Sequence, residues 1–588
     1  MAGVGGTKYS GSQLPLAVQE LKADTTINNP MIKESAELLM TDSKSVEISG
    51  TEVQLHYDRA CKEIARRISE IDESTSHRIP IILRQVSSEF RLRQLPRRYD
   101  LMKYLPENWR NTLKIRPVKT ASGVTVLTVM ATPYPCPQGR CIYCPGGIEF
   151  NTPMSYVGSE PATKIAQTYA YHPFEQIRTK LETLRLNGHD TSKIELIILG
   201  GTFPFMPRKY QFNFAKACYD ALNHDVKTEP SVTLEEAMSV NEISTHKCVG
   251  LTVETKPDYC KQNHIDVLLC LGVTRVEIGV QSLRNEVLKL TNRGHNTEDV
   301  EESFKIARNA GLKIVAHMMP GLPGSSPKKD LEDFQQLLYD PRYRPDMLKI
   351  YPTLVLRNTG LYKLYSSGLF APYTDEEMIR ILVELKKKVP PWIRIMRIQR
   401  EIDTKDIIAG PRGGNLRQLA FDRLSSEGQR CRCIRCREIG LRTKHNIDQE
   451  SVKLNRLDYM AAGGQEVFLF CETDDGSALL GFLRLRKVTG SGEAELHTFK
   501  CHDNCVKAVA VVRELHVYGQ TLGVGRKATN LSWQHRGVGK LLMAEAEQIA
   551  KSEFSVEALS VISAVGTKKY YGRLGYNRNG YYVTKLLK

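Results

Sequence analysis

The stretch Cys136-Pro-Gln-Gly-Arg-Cys141-Ile-Tyr-Cys144-Pro-Gly-Gly decides the fold of this chain. It places three cysteines close together on a loop rich in proline and glycine. Three thiolates on such a loop can hold three irons of a [4Fe–4S] cluster and leave the fourth iron open. The alternatives are a zinc knuckle, which would require a fourth protein ligand nearby, and three unrelated buried thiols. The motif therefore predicts a metal-binding loop, with the cluster as the preferred occupant.

The open iron of such a cluster is what an S-adenosylmethionine (SAM) radical enzyme requires, because the methionine end of SAM must chelate iron before an electron breaks its C–S bond. The surrounding residues 121–390 alternate between strand-like and helical segments. Apolar runs predict strands at 124–129, 194–199, 247–253, 275–279, 313–317 and 347–351. Amphipathic segments predict helices at 174–186, 263–271 and 297–310. This alternation predicts parallel strands in a partial or full (β/α) barrel.

Polar and glycine-rich residues follow the predicted strands at the ends where such barrels carry out chemistry. These stretches are Gly200-Gly201-Thr202, Glu254-Thr255-Lys256-Pro257, Gln281-Ser282 and His317-Met318-Met319-Pro320. Gly200, Gly201 and Thr202 are predicted to contact the methionine end of SAM through backbone groups, with a tight turn as the alternative. Lys256 and Tyr351 lie at strand ends too, and we interpret them as candidate catalytic residues that assist hydrolysis or place a base.

Bulk composition limits the class of protein. At 588 residues the chain exceeds one hydrophobic core, and about two to four domains are expected. The formal net charge of +16 favours a polyanionic partner such as RNA, with a basic surface kept for solubility as the alternative. The cysteine pattern is that of a reducing compartment. Since the sequence has no apolar run of about 18 residues and no signal-peptide pattern, we expect a cytoplasmic or nuclear chain without a membrane partner.

The N-terminal part divides into two regions. Residues 1–50 are polar and weakly periodic, and are predicted to be a disordered tail. Residues 51–120 form a basic region in which Phe90, Tyr99, Tyr104 and Trp109 are interleaved with Lys and Arg. Basic side chains neutralise phosphates while flat rings stack on unpaired bases, so this mixture suits RNA. The alternative is a solvated basic helix pair with buried aromatics. The candidate RNA contacts are Arg91, Arg93, Arg97 and Arg98.

Residues 391–458 are dense in arginine and are predicted to be a linker. They contain Cys431, Cys433 and Cys436, three cysteines too close together to pack separately in a core. Flanking arginines lower thiol pKa values and favour metal-binding thiolates, so we predict a structural zinc site. His445 is a candidate fourth ligand by proximity alone. An exposed cysteine cluster without a function is the alternative.

Residues 459–588 have a different character. Strands are predicted at 467–471, 478–485 and 508–517, and a helix at 541–550. The loop Gln534-His535-Arg536-Gly537-Val538-Gly539-Lys540 opens this helix, where backbone N–H groups and the helix dipole attract a pyrophosphate. The order of these elements resembles N-acetyltransferases of the GNAT fold, which are built around acetyl-CoA.

The motifs together resemble one family, the catalytic subunit of Elongator, over roughly residues 80–588. The stretches that carry the resemblance are Tyr143-Cys144-Pro145-Gly146-Gly147, Gly200-Gly201-Thr202-Phe203, Arg275-Val276-Glu277-Ile278-Gly279-Val280-Gln281-Ser282, Thr291-Asn292-Arg293-Gly294-His295, Ala316-His317-Met318-Met319-Pro320, Lys349-Ile350-Tyr351-Pro352-Thr353-Leu354 and Arg513-Glu514-Leu515-His516-Val517-Tyr518-Gly519. The resemblance implies an α/β multidomain fold with a radical-SAM barrel joined to a C-terminal GNAT domain.

The resemblance also implies an activity: formation of 5-carboxymethyluridine at the wobble position of tRNA, from acetyl-CoA and SAM, with an electron donor. Residues matched to acetyl-CoA contacts in the family are Glu514, Leu515, His516, Val517, Val538, Gly539 and Lys540. Tyr571 matches a tyrosine near the thioester sulfur, and a buried core aromatic is its alternative. Lys193 matches a lysine assigned to the same ligand, and we interpret it as a bridge between the two active sites. An exposed lysine at the start of a strand is the alternative.

Two departures from the eukaryotic pattern favour the archaeal or bacterial branch of the family. The spacing from Cys136 to Cys141 is shorter than in the eukaryotic pattern, and the Cys431/Cys433/Cys436 cluster contains more cysteines. We therefore expect a monomer or homodimer rather than a member of a six-subunit complex. Two rival functions are a protein lysine acetyltransferase with a structural iron–sulfur domain, which would not need SAM, and an RNA-binding scaffold with degenerate catalysis.

Overall fold

The computed structural model describes residues 50–587 apart from 93, 107, 110–112, 115–116, 442–451, 489–508 and 520–536. The predicted tail (up to residue 49), Arg93 and His445 lie outside the described residues, as do Gln534, His535 and Arg536. The described chain forms two compact units, one from residues 50–70 and 77–96 and the other from residues 71–76 and 97–587.

The first unit is a pair of packed helices, α1 (Gly50–Ser69) and α2 (Ile79–Glu89). Ala60, Ile64 and Ile68 recur every four residues, so they share one face of α1, and all three are fully buried. Arg67 of α1 forms an ion pair with Glu89 of α2 at 2.6 Å. An apolar seam therefore joins the helices and charges border it, as the helical spacing of this segment predicts.

The second unit contains two seven-stranded sheets. Its strands are β1 (Thr125–Met130), β2 (Lys193–Leu199), β3 (Lys247–Thr255), β4 (Arg275–Gln281), β5 (Lys313–Met318), β6 (Met347–Ile350), β7 (Val355–Leu356), β8 (Arg394–Ile398), β9 (Ile407–Ala409), β10 (Val452–Ala461), β11 (Gly464–Thr473), β12 (Leu479–Lys487), β13 (Val509–Val517), β14 (Ala558–Val561), β15 (Asn577–Asn579) and β16 (Tyr582–Leu586). Its helices are α3 (Arg98–Met102), α4 (Pro161–Thr168), α5 (Pro173–Leu186), α6 (Arg208–Asn223), α7 (Leu234–Asn241), α8 (Gln262–Cys270), α9 (Asn285–Leu290), α10 (Thr297–Asn309), α11 (Pro327–Tyr339), α12 (Gly360–Ser366), α13 (Asp375–Lys388), α14 (Leu416–Ser426), α15 (Ile434–Arg437), α16 (Val538–Ser552) and α17 (Lys568–Gly572).

The first sheet is entirely parallel, in the order β1-β2-β3-β4-β5-β6-β8. Consecutive strands are neighbours because a helix-containing crossover returns the chain to the same edge each time. Between the described strands β1 and β8 there is no pairing, so the barrel is open. The six strands predicted from apolar runs are confirmed, each within two residues at either end.

The second sheet has the order β10-β11-β12-β13-β14-β16-β15. All its pairs are antiparallel except β13 with β14, which is parallel. The β13–β14 pairing ends at Val512 opposite Val561, although β13 continues to Val517. The strand β13 therefore extends beyond the end of β14, and α16 packs on β12 and β13.

The segment 391–458, predicted to be a linker, contributes one strand to each of the two sheets. It contains β8, the last strand of the parallel sheet, and α14, which packs on α13. At its other end β10 starts the second sheet at Val452. The strand β8 escapes sequence analysis because Arg394 and Arg397 interrupt its apolar residues. The bounds of the linker stay a prediction, with β8 and β10 at its two ends assigned to the sheets.

A group of buried charges joins the two sheets. We call it the buried arginine cluster: Arg308, Arg484, Arg486 and Arg513 with Asp346 and Glu466, all fully buried. Arg513 on β13 donates to Asp346, just before β6, at 2.6 Å and to Glu466 on β11 at 2.8 Å. Ion pairs thus connect the parallel sheet to the second sheet. In the described ranges no helix combines the length and apolar character needed to cross a bilayer.

Candidate functional site

The cysteine loop follows β1 and encloses its thiols. Cys141 and Cys144 are buried, and Cys136 is half-buried. Ser155 N–H donates to Cys144 Sγ at 3.1 Å, and Arg293 Nη1 lies 3.9 Å from Cys141 Sγ. Burial, assisted by the neighbouring Cys141, raises the pKa of the Cys144 thiol to about 11. Its thiolate therefore needs a positive charge beside it, which a bound metal cluster supplies, so the donor set fits the predicted group.

The distances between sulfur atoms within each group distinguish the two cysteine groups. Within the described residues, one set of three metal-ligand side chains has all its ligand atoms within 4.8 Å of one another, and it is Cys431, Cys433 and Cys436. That compact set fits one metal ion. The cysteines of the loop do not meet this limit, which suits a cluster in which each thiolate binds a different iron. Lys386 Nζ also donates to Cys436 Sγ at 3.7 Å.

A cavity of about 320 Å³, the barrel cavity, opens at the carboxyl ends of the parallel strands. The predicted site residues that line it are Cys136, Cys141, Cys144, Gly201, Thr202, Lys256 and Tyr351. Glu254, Glu277, Arg293, His317 and Lys349 also line it, and sequence analysis gives none of them a role. The cysteine loop and the strand ends therefore meet at one site, as the barrel prediction requires.

The glycine turn after β2 is held by a carboxylate. Glu254 Oε2, at the end of β3, accepts hydrogen bonds from Gly200 N at 3.0 Å and Gly201 N at 3.3 Å. Tyr156 Oη donates to the same carboxylate at 3.1 Å. Both glycines have positive φ, of 142° and 85°, which a side chain would strain. The amide donors of the turn are thus used by Glu254, and Gly200 does not line the cavity.

Lys256 connects the cysteine loop to β3. Its ammonium donates to Gln138 Oε1 at 2.6 Å and to Asp258 Oδ2 at 3.1 Å, and the residue is 1% exposed. Burial, reinforced by the nearby Arg293, lowers the pKa of Lys256. These contacts indicate that Lys256 holds the loop in place, and its catalytic role stays a prediction.

Glu277 organises a charged group inside the barrel. This fully buried residue accepts from His317 Nε2 at 3.0 Å and pairs with Lys349. Burial alone would raise the pKa of Glu277, but Lys349 and His317 outweigh it and hold the pKa well below its usual range. The His317 ring packs edge-on against Tyr351, with centroids 5.3 Å apart. Tyr351 therefore lies beside a fixed array of charges.

A second cavity of about 650 Å³, the interface cavity, lies between the amino ends of the barrel strands and the part of β13 that extends beyond β14. It is lined by all the residues predicted to contact acetyl-CoA: Lys193, Glu514, Leu515, His516, Val517, Val538, Gly539, Lys540 and Tyr571. Glu195, Arg275 and Lys313, for which the sequence predicts no ligand contact, also line it. Elements distant in sequence thus converge on one pocket.

The start of α16 forms one wall of the interface cavity. Gly537 precedes the helix with φ of 93°, and a Cβ on Gly539 would come within 2.8 Å of Tyr570 Oη. Gly539 thus leaves room for the Tyr570 side chain, and the start of the helix borders the cavity, where the helix dipole favours an anion. This geometry suits the phosphates of a nucleotide cofactor.

Tyr571 and Lys193 lie on opposite walls of the interface cavity. Tyr571 is 7% exposed and packs edge-on against Tyr570, and burial raises its pKa well above the usual value. Lys193 is the first residue of β2, and burial lowers its pKa to about 8. Lys193 does not line the barrel cavity, because the glycine turn that does lies at the other end of β2. The predicted bridge between sites therefore contacts one site only.

The candidate RNA contacts are only partly described. Arg91 in the first unit and Arg97 and Arg98 in the second are exposed. Trp109 is 1% exposed and belongs to the core, so it cannot stack on a base. Lys103 lies over the half-buried Tyr104 ring at 4.7 Å. The arginines remain candidates, whereas the stacking prediction is wrong for Trp109.

Comparison with known proteins gives the class first. Residues 133–338 match the Radical SAM superfamily, and residues 345–426 match the Radical_SAM C-terminal domain. Residues 57–121 match the ELP3 N-terminal domain. The parallel open barrel and its cysteine loop thus define a radical SAM protein, a class that uses a [4Fe–4S] cluster and SAM.

Full-length relatives give the family. The chain is 43% identical over 502 residues to tRNA uridine(34) acetyltransferase of Methanocaldococcus infernus, covering 84% of this chain and 92% of that protein. It is 39% identical over 544 residues to Elongator complex protein 3 of Saccharomyces cerevisiae, covering 90% of this chain and 96% of that protein. The solved structure of archaeal Methanocaldococcus infernus Elp3 with an N-terminal deletion of residues 1–46 aligns with a TM-score of 0.69 at 40% identity, covering 80% of this chain and 100% of that one. The chain belongs to the tRNA uridine(34) acetyltransferase and Elongator complex protein 3 family.

The two relatives do not assign a branch. Their identities to this chain, 43% for the archaeal protein and 39% for the yeast protein, are close to each other. The archaeal or bacterial assignment and the monomer or homodimer therefore stay predictions.

Proposed function

We propose that this protein modifies uridine at the wobble position of tRNA to 5-carboxymethyluridine, using SAM radical chemistry and acetyl-CoA. The observation that carries the proposal is the pair of cavities in one compact unit. The barrel cavity contains the cysteine loop, and the interface cavity contains the acetyl-CoA motifs. The similarity to tRNA uridine(34) acetyltransferase supports the substrate, a tRNA uridine at position 34.

The C-terminal half, from β10 onward, acts as a GNAT-type acetyltransferase domain in this proposal. Parallel strands that diverge beside a helix N-terminus leave a cleft in which an acyl-CoA can lie along the exposed edge of β13. Support comes from the separation of β13 and β14 after Val512 and from the glycines at the start of α16. In this arrangement Lys540 and the α16 N–H groups face phosphates, while Glu514 to Val517 face the pantetheine arm.

In the barrel half, Cys136, Cys141 and Cys144 hold the cluster. When bound, the cluster and SAM supply a radical that can abstract hydrogen from the methyl of an acetyl group that has reached the barrel cavity. Glu254 fixes the glycine turn that borders this site, and Lys256 fixes the cysteine loop. Glu277, Lys349 and His317 keep charged groups beside Tyr351 at the place where a uracil ring would enter. These residues position the reactants and exclude water.

Two further assignments belong to the proposal. The exposed Arg97 and Arg98, together with a net charge of +16, bind the tRNA backbone. Cys431, Cys433 and Cys436 bind a structural zinc ion that pins the segment between β8 and β10.

The test is mass spectrometry of tRNA nucleosides after reaction with anaerobically reconstituted protein, reductant, SAM and methyl-labelled acetyl-CoA. We expect labelled 5-carboxymethyluridine that requires both SAM and acetyl-CoA.

Cys141→Ser should abolish the product and the visible absorbance of the cluster, because one iron loses its ligand. Cys270→Ser, away from the loop, is the matched control and should retain both. Acetylation of a peptide amine without SAM, and no labelled uridine, would replace the proposal by the protein acetyltransferase.

A further inference from the structure

The floor of the interface cavity carries polar groups that have no partner. Arg275, the first residue of β4, is 4% exposed and pairs through Nη1 with Glu195. Its Nε and Nη2 have no hydrogen-bond acceptor among the described residues. The buried hydroxyls of Thr252 and Thr274 also lack a hydrogen-bond partner among these residues. Buried donors are rarely left unpaired, because each unsatisfied group is costly. The pattern indicates that a ligand atom completes this floor.

A second cation stands beside Arg275. Lys313 is its register partner on β5, so the two side chains lie next to each other on the same face of the sheet. Lys313 also lines the interface cavity, and no hydrogen bond or ion pair of its ammonium occurs within the described part of the chain. The two carboxylates nearby are engaged, Glu195 by Arg275 and Glu514 by Arg484 at 2.8 Å. The floor therefore has an excess of positive charge that suits an electron-rich oxygen.

The position of this floor identifies which end of a ligand it would meet. Val512 and Val561, the last paired residues of β13 and β14, line the cavity at the point where the strands separate. Burial lowers the pKa of Lys313 to about 8. Glu514 lies just beyond the point where the β13–β14 pairing ends, and it is the group that most strongly raises this pKa. Phosphates belong at the other wall, at the α16 N-terminus. The floor, near the end of the β13–β14 pairing, is therefore the part of the cavity that remains for the acyl end of an acyl-CoA.

We propose that Arg275 and Lys313 bind the carbonyl oxygen of the acyl thioester and stabilise the negative charge that develops on it during hydrolysis. This inference rests on the proposed function and deepens it. In the step, the oxygen of water bonds to the carbonyl carbon and the C–S bond breaks with its electron pair on sulfur. The sulfur takes up a proton, and the acid product releases one. Two preorganised donors at that oxygen lower the barrier, and losing one such donor slows hydrolysis by about 10²–10³-fold.

The test compares two stable CoA analogues by calorimetry on the full chain. One is the ketone analogue in which CH2 replaces the thioester sulfur, and the other is S-ethyl-CoA, which lacks the carbonyl oxygen. Arg275→Lys keeps the charge beside Glu195 but removes the guanidinium fork. We expect it to raise the Kd of the ketone by roughly tenfold, the effect of one charge-assisted hydrogen bond, and to change that of S-ethyl-CoA less than about twofold.

Lys313→Met should likewise raise the Kd of the ketone and leave that of S-ethyl-CoA nearly unchanged. Because Lys313 is partly exposed, this variant tests the proposal even if Arg275→Lys folds poorly. Arg342→Lys, an exposed arginine outside both cavities, is the control and should change neither Kd. Equal effects on both analogues, or no effect on the ketone, would overturn the carbonyl-oxygen site alone. If the wild-type protein binds neither analogue, acetyl-CoA is not its ligand, and the proposed function falls as well.

Discussion

Glu277 shows how one residue can organise a site. It lies in the middle of β4, where the flanking residues are buried and mostly apolar, and it is ionised because a lysine and a histidine surround it. A buried ion pair does not by itself stabilise a fold, since desolvation offsets the attraction. Its contribution here is to keep the ammonium of Lys349 and the ring of His317 in fixed places beside Tyr351.

Replacing Glu277 by Gln should leave the Lys349 ammonium buried without a counter-charge. We expect the free energy of unfolding to fall by about 3–5 kcal/mol, measured by urea denaturation. The double variant Glu277→Gln/Lys349→Met should recover much of this loss, because no unpaired charge remains. Glu401→Gln, whose pair with Arg397 is exposed, should change stability by less than about 1 kcal/mol. Equal losses in the single and double variants would contradict the pairing argument.

At the scale of elements, the N-terminus of α16 depends on backbone conformation more than on side chains. Gly537 has a left-handed φ of 93°, and among the described residues no atom lies within 4 Å of a Cβ placed on it. A substitution there would strain the turn without a clash. Because the first-turn N–H groups take their direction from this turn, a small backbone shift should be felt by any phosphate bound to them.

Gly537→Ala should therefore raise the Kd for CoA roughly 5-fold and destabilise the protein by about 1–2 kcal/mol. Gly428→Ala is matched to it, since Gly428 also has positive φ (68°) and no neighbour within 4 Å of a Cβ. The Gly428 variant should show the loss of stability without a change in CoA affinity. Calorimetry with CoA and thermal unfolding check the two effects, and an unchanged Kd in Gly537→Ala would reject the phosphate assignment.

At the scale of the whole second unit, the buried arginine cluster joins the two sheets. Burial alone would raise the pKa of Asp346, but Arg308, Arg513 and Arg484 outweigh it and hold that pKa far below its usual range. In the unfolded chain the same carboxyl has a pKa of about 3.9. Since the folded pKa is the lower one, the stability contributed by Asp346 is present above about pH 4 and is lost as the pH falls below it.

Asp346→Asn should lower the free energy of unfolding by about 3–5 kcal/mol at neutral pH, because the cluster keeps its arginines and loses one of its two carboxylates. The difference from wild type should narrow between about pH 5 and pH 3, as the unfolded wild-type chain takes up a proton at Asp346. Urea titrations at several pH values measure this. Asp458→Asn, from an exposed pair with Arg456, is the control. A difference that does not vary with pH would contradict the depressed pKa.

Sequence patterns predicted what depends on neighbours along the chain. The parallel strands, the cysteine loop and the start of α16 each carry their signal within a few residues. Glu277 carries no such signal, because its partners His317 and Lys349 are 40 and 72 residues away. Arginines hide the strand β8, and the basic pattern around Trp109 favours an exposed ring although distant packing decides its burial. Long-range contacts are what the sequence alone could not supply.

The position of the interface cavity has a consequence for how this protein can be divided. Lys193, Arg275 and Lys313 start strands of the barrel, yet they line the pocket of the other half. A fragment beginning at β10 would therefore lack a whole wall of the interface cavity. The interface cavity thus exists only when the barrel strands and the second sheet are present together.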